Sequence, residues 1–198
     1  MLLAVTLALA GTAEDRALIG QLDREVIALR QRIEHMEGQL RTCTVDKSLS
    51  SAFVELRAVL EGRPAVVGRE GSAVTVTVLH SELFGAGAAS VREEADPLLD
   101  LLATAIKMHP ELRVTVAVYN DSAMVPSSLR KTVPSVWELT ALRASLVVRT
   151  LVERFSVPPA SLTAAGRGVQ SPPTGASADE LSAESRRVVF ILESGASP

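Results

Sequence analysis

Apolar side chains recur in steps of three and four at Ile19, Leu22, Val26, Leu29, Ile33, Met36 and Leu40. Because a helix turns once per 3.6 residues, this spacing keeps them on one stripe and fits the a/d seam of a coiled coil. Ile19, Val26, Ile33 and Leu40 take the a positions, and Leu22, Leu29 and Met36 take d. Mostly β-branched a and mostly leucine d positions favour a parallel dimer. The flanks agree, since Glu25 at g would face Arg30 at e of the second helix, and Arg32 at g would face Glu37 at e. The alternative is a single amphipathic helix lying on its own domain. Counting on from Met36, Cys43 falls at the next d position, where matching thiols of a parallel pair would meet. A buried small hydrophobe is the alternative role for that side chain.

The stalk predicted over residues 14–62 is preceded by MLLAVTLALAGTA, an apolar run at residues 1–13. A bilayer-spanning helix needs about 20 residues, so this run is too short. Its small residues offer signal-peptidase-like sites after Ala10 or Ala13, and it reads as a signal peptide or as the end of a membrane anchor. Either reading places the remainder in the periplasm or cell envelope. The heptad register breaks around residues 42–48, and Leu49, Phe53, Leu56 and Leu60 then form a second stripe that predicts a separate connecting helix ending at Gly62-Arg63-Pro64.

Beyond it, strands and helices alternate. Residues 65–67, a turn at residues 68–71 and the alternating Val74, Val76 and Val78 predict a hairpin leading into a domain over residues 72–193. Ser90 and Glu93 resemble a capping box for a helix reaching Met108, with Pro97 in its first turn. Residues 112–119 read as a valine-rich strand and residues 122–134 as a loop. Ser135 and Glu138 form another capping box, for a helix reaching about Phe155. A short strand at 162–165, a helical turn at 179–183 and a last strand at 187–192 complete an α/β two-layer sandwich with one mixed sheet. Scarce aromatics, 3% of the chain against 47% hydrophobic residues, imply a core of aliphatic side chains and alanine.

Several motifs in this region resemble those of the OmpA/MotB-type domain family. Leu83-Phe84-Gly85-Ala86-Gly87-Ala88-Ala89 is similar to the family's LFxxGxA entry. Tyr119-Asn120-Asp121 ends a strand where the family carries HTD, and Trp137-Glu138-Leu139-Thr140-Ala141-Leu142-Arg143-Ala144 resembles its WELSxxRA helix. Gly166-Arg167-Gly168, Pro172 and Ser185-Arg186-Arg187-Val188 follow in the family's order. The resemblance covers roughly residues 74–192 and leaves out the stalk. It implies an OmpA-like fold that binds cell-wall peptidoglycan without catalysis, gripping the diaminopimelate of the stem peptide.

The resemblance carries the family's zwitterion clamp onto Asp121 and Arg143. A carboxylate accepts charge-assisted hydrogen bonds from the ligand ammonium, and a guanidinium fork clasps its carboxylate. Asn120 could replace a hydroxyl hydrogen bond, and Arg186 or Arg187 could supply further positive charge. Both clamp residues are expected on the domain surface, so that replacing either would cost affinity and little stability. Taken without the family, Asp121 is a turn former and Arg143 a surface ion-pair partner. The sequence departs from the family at Val118, Tyr119, Val136 and Ser185, which supports the alternative of a periplasmic coiled-coil scaffold that has lost peptidoglycan affinity.

Other chemistries find little footing. A net charge of -3 provides no basic excess for a nucleic-acid backbone. The single Cys43 excludes a multi-thiolate zinc site, and His35, His80 and His109 lack ligand spacing, so no metal and no cofactor are expected. With no GxSxG, P-loop or HExxH motif, no enzyme activity is expected. The partners expected are peptidoglycan, a second copy through the coiled coil, and an envelope protein complex.

Overall fold

A computed structural model describes residues 13–120, 125–169 and 186–195; within the first helix it describes the side chains of residues 17–39 and from 47 onward. Contacts divide the chain into two units, Met1–Thr44 and Val45–Pro198. The first helix, α1, runs over Ala13–Val59. The separate connecting helix expected after residue 48 is therefore corrected to the end of one longer helix. Between Gly38 and Gly62 there is neither proline nor glycine to interrupt the backbone ladder. A change of heptad register alters which face is apolar, not whether the helix continues.

In the first unit, Ile19, Leu22, Val26, Leu29, Ile33 and Met36 are all exposed. Among the described residues, no helix is long and apolar enough to cross a membrane.

In the second unit, the end of α1 buries Leu49, Ala52 and Leu56, and Leu60 is buried just after it. Strand β1 (Ala65–Glu70) then pairs antiparallel with β2 (Ala73–Leu79). The hairpin turn is shorter than expected and starts three residues later, at residues 71–72: Gly68 is inside β1, and Gly71, at φ +58, takes the left-handed conformation that glycine adopts without strain. A four-residue helix α2 (His80–Leu83) follows β2 directly. Ser90 does not cap the next helix. Val91 instead bridges to Phe84, a 3-10 turn spans Glu93–Ala95, and α3 (Asp96–Met108) starts with Pro97 in its first turn. Strand β3 (Leu112–Asn120) leads through the described part of a loop to α4 (Val136–Glu153). Ser135 is the N-cap of α4, but its hydroxyl bonds the Glu138 carboxylate rather than the helix backbone. Strand β4 (Leu162–Val169) is twice the expected length, and β5 (Arg187–Ser194) ends the sheet. The helical turn expected at 179–183 lies outside the described residues.

The sheet order is β1-β2-β5-β3-β4, with β3 and β4 parallel and every other pair antiparallel. Register aligns Val76, Phe190 and Val116 in one row, Val74, Leu192 and Val114 in a second, and Val78, Val188 and Val118 in a third. Period-two alternation puts all nine on one face. They join α1 through Leu49 and Leu56, α3 through Leu99 and Leu102, and α4 through Val147 and Leu151 in one core. The expected two-layer α/β sandwich with a mixed sheet is the fold observed.

Helix α4 packs on β3 and β4 at close range. A Cβ on Gly166 would stand 2.6 Å from the Ala141 nitrogen, and one on Gly168 would stand 2.8 Å from the Trp137 ring. Buried Thr140 joins the two elements: its hydroxyl donates to the Val136 carbonyl at 3.0 Å and accepts from the Gly168 N–H at 3.1 Å. The Gly166-Arg167-Gly168 stretch thus lets a helix approach a strand.

Candidate functional site

A cleft of about 560 Å³ opens in the second unit, where the end of β2, α2, the loop after it, the end of β3, α4 and the start of β5 converge. Its walls include His80, Phe84, Arg92, Asn120, Arg143 and Arg186. Three guanidinium groups line it, and no carboxylate does so among the described residues. Such a wall favours an anion.

Arg143 is the most constrained of the three. It projects from α4 and is only 6% exposed, contrary to the expected surface position. Nε and Nη2 both donate to the Ala88 carbonyl, at 3.2 and 2.8 Å, and Nη1 lies 3.3 Å from Nδ1 of His80. The guanidinium also lies over the Phe84 ring, 5.1 Å from its centroid. Burial lowers its pKa from the usual value, yet a guanidinium keeps its charge in a protein. A buried cation needs this many partners, because leaving it unpaired would be costly.

His80 is buried, and its pKa is lowered from 6.5 to about 3, first by burial and then by the positive charges of Arg143 and Arg186. Its ring meets Phe84 edge to face, with centroids 5.6 Å apart. Neither His80 nor the Ala88 carbonyl was singled out from the sequence. The available signal was position: His80 stands three residues ahead of the Leu83-Phe84 motif.

Of the other expected site residues, Asn120 is buried and lines the cleft at the end of β3, and Arg186 lines it at the start of β5. Arg187 is not on the cleft wall; its guanidinium stacks on Tyr119, 4.4 Å from the ring centroid. Asp121 lies outside the described residues, one position beyond Asn120. Arg92 was also not anticipated; it reaches the Ser81 carbonyl at 2.8 Å and Glu94 at 3.3 Å. Val136 and Val118, two departures from the motif pattern, are buried apolar residues. Trp137 covers Gly168 and remains 61% exposed.

Comparison with known proteins agrees with this architecture. Motility protein B of Bacillus subtilis is 24% identical over 168 residues, covering 84% of this chain and 59% of that protein. This chain thus spans under two thirds of the length of that relative. The crystal structure of a MotB-like protein from Desulfovibrio vulgaris superposes with a TM-score of 0.66 at 25% identity, covering 80% of this chain and 99% of the other. The cell wall anchor of the T6SS from Pseudomonas aeruginosa gives a TM-score of 0.56 at 28% identity, over 74% of this chain and 96% of the other. The OmpA family model matches residues 83–187, a span of more than half the sequence that runs from the Leu83-Phe84 motif to the start of β5. On that match, the chain belongs to the OmpA family.

Proposed function

We propose that this chain is a non-catalytic anchor that binds peptidoglycan in the periplasm and tethers an envelope protein or complex to the cell wall. The observation that carries this reading is the arginine-lined cleft, with Arg143 held in it by three N–H contacts. A guanidinium has five N–H donors, so the fork retains capacity for a ligand carboxylate beyond what the described residues use. Asp121, next to cleft-lining Asn120, is the proposed acceptor for the ammonium of the diaminopimelate zwitterion. Arg186 supplies further positive charge, while Arg187, stacked on Tyr119, is assigned a secondary role. The similarity to a cell wall anchor at 28% identity supports the same reading.

The exposed apolar stripe from Ile19 to Met36 is assigned to a parallel coiled coil between two copies, since single helices seldom leave such a seam uncovered in water. Sedimentation with purified sacculi tests the anchor. A bound fraction that is displaced by excess diaminopimelate-containing peptide is expected. Absence of binding would favour the scaffold that keeps the fold without the affinity, a reading supported by valine at position 136 in place of a polar side chain.

A further inference from the structure

Three residues on one short segment, His80, Phe84 and Ala88, surround the Arg143 guanidinium, although 55 or more positions separate it from His80 and Ala88 in the sequence. They stand at intervals of four. Ala88 offers its carbonyl to Nε and Nη2, Phe84 offers its ring face, and His80 offers Nδ1. The segment is itself tied down. The His80 N–H donates to the Arg186 carbonyl at 2.9 Å, and the Phe84 N–H donates to the His80 carbonyl at 2.7 Å.

Arginine is a donor only. A contact of 3.3 Å between Nη1 and Nδ1 is therefore a hydrogen bond only if Nδ1 carries a lone pair, which places the ring proton on Nε2. Protonating the ring would remove that acceptor and set two cations side by side in a buried site. The charged groups facing His80 among the described residues are Arg143 from α4 and Arg186 from the start of β5, both positive. Nε2 is buried without a hydrogen bond of ordinary geometry among the described residues, and the Arg187 backbone is the one neighbour that favours a proton on the ring.

We propose that His80 is the positioning residue of the ligand cleft: as a neutral imidazole with its proton on Nε2, it accepts from Arg143 and sets where the guanidinium stands. The proposal rests on the reading of the cleft as an anion site. A neutral acceptor suits that task better than a carboxylate, the commoner partner of arginine, because a carboxylate would cancel the positive charge that the ligand needs. His80 orients the fork and leaves its charge for the incoming anion.

The test compares the full-length protein with three variants, using meso-diaminopimelate as the probe. His80→Asn places an amide oxygen near the position of Nδ1 and should bind within about threefold of wild type. His80→Phe keeps the ring without an acceptor and should bind about tenfold or more weakly, the loss expected for one hydrogen bond to a charged group. His80→Asp keeps an acceptor but neutralises the guanidinium, and should also bind weakly. A Phe variant that folds and binds like wild type would overturn the proposal. Nitrogen NMR of the wild type gives a readout independent of ligand and of variant folding. It should show the Nε2–H tautomer, uncharged between about pH 5 and 8. An Nδ1–H tautomer, or titration within that range, would overturn the proposal as well. If wild type binds neither the probe nor sacculi, the anchor reading fails, and the tautomer still decides whether His80 positions Arg143.

Discussion

Lowering the pH from 7 to 5 should weaken the second unit through His80. The ring's pKa falls from 6.5 to about 3 on folding, because burial and two neighbouring guanidinium groups disfavour the imidazolium. A depressed histidine stays neutral in the folded protein but takes up a proton once unfolded at any pH below 6.5. The unfolded state then binds more protons, so stability is full above pH 6.5 and declines as pH falls toward 3. Each pH unit inside that window is worth about 1.4 kcal/mol, and pH 5 lies roughly 1.5 units below the unfolded value, giving a loss of about 2 kcal/mol. For a unit of this size, that corresponds to a fall of roughly 4 to 8 °C in Tm. Urea unfolding followed by circular dichroism at both pH values, on wild type and His80→Asn, isolates the contribution, because asparagine does not titrate. Glu55 and Glu111, whose carboxyl pKa values are lowered below 4.5, contribute equally to both proteins and cancel. Equal pH dependence in the two proteins would refute the assignment of a buried neutral imidazole.

The clamp residues should separate in stability though not in binding. Arg143→Ala strands the Ala88 carbonyl and His80 Nδ1 and should cost roughly 2 to 3 kcal/mol of stability along with most sacculus binding. Asp121→Ala should lose a similar share of binding with little change in Tm, and wild-type binding by both variants would show that the ligand site lies elsewhere. Gly166→Ala would push a methyl against the Ala141 backbone, which cannot yield as a side-chain end can, so denaturation should report a loss of about 1 to 3 kcal/mol; no change would mean that α4 and β4 are less tightly apposed. In the stalk, light scattering at micromolar concentration should report a dimer, and non-reducing gels of wild type beside Cys43→Ser should show a crosslink only in the former. A monomer would remove the stalk assignment, whereas a dimer without a crosslink would remove only the disulfide.

Much of the fold was legible because it is written in near-neighbour patterns. Alternation of Val74, Val76 and Val78 marks a strand, and Ser135 marks the start of α4. Heptad spacing from Ile19 marks a helix, whatever its partner. The ordered motifs then pointed to the cleft through Arg143, Asn120 and Arg186. Local patterns misled where a longer-range interaction competed. Ser90 and Glu93 have capping-box spacing, but Val91 is taken by its bridge to Phe84, so α3 begins only at Asp96. The register change after residue 42 looked like a helix end because it changes the buried face, yet the backbone of α1 has no reason to stop there.

The character of the site belongs to the tertiary structure. Sequence alone determined that a guanidinium sits on a helix behind a tryptophan, and that a strand ends in Asn120. It did not determine that this guanidinium is buried, or that a histidine 63 positions away supplies one of its acceptors. Periodicity and caps depend on residues within a few positions of each other, so a sequence displays them. Desolvation and hydrogen-bond partnership depend on which distant segments pack together, and only when α2, α4 and the start of β5 converge do His80, Arg143 and Arg186 share one low-dielectric wall.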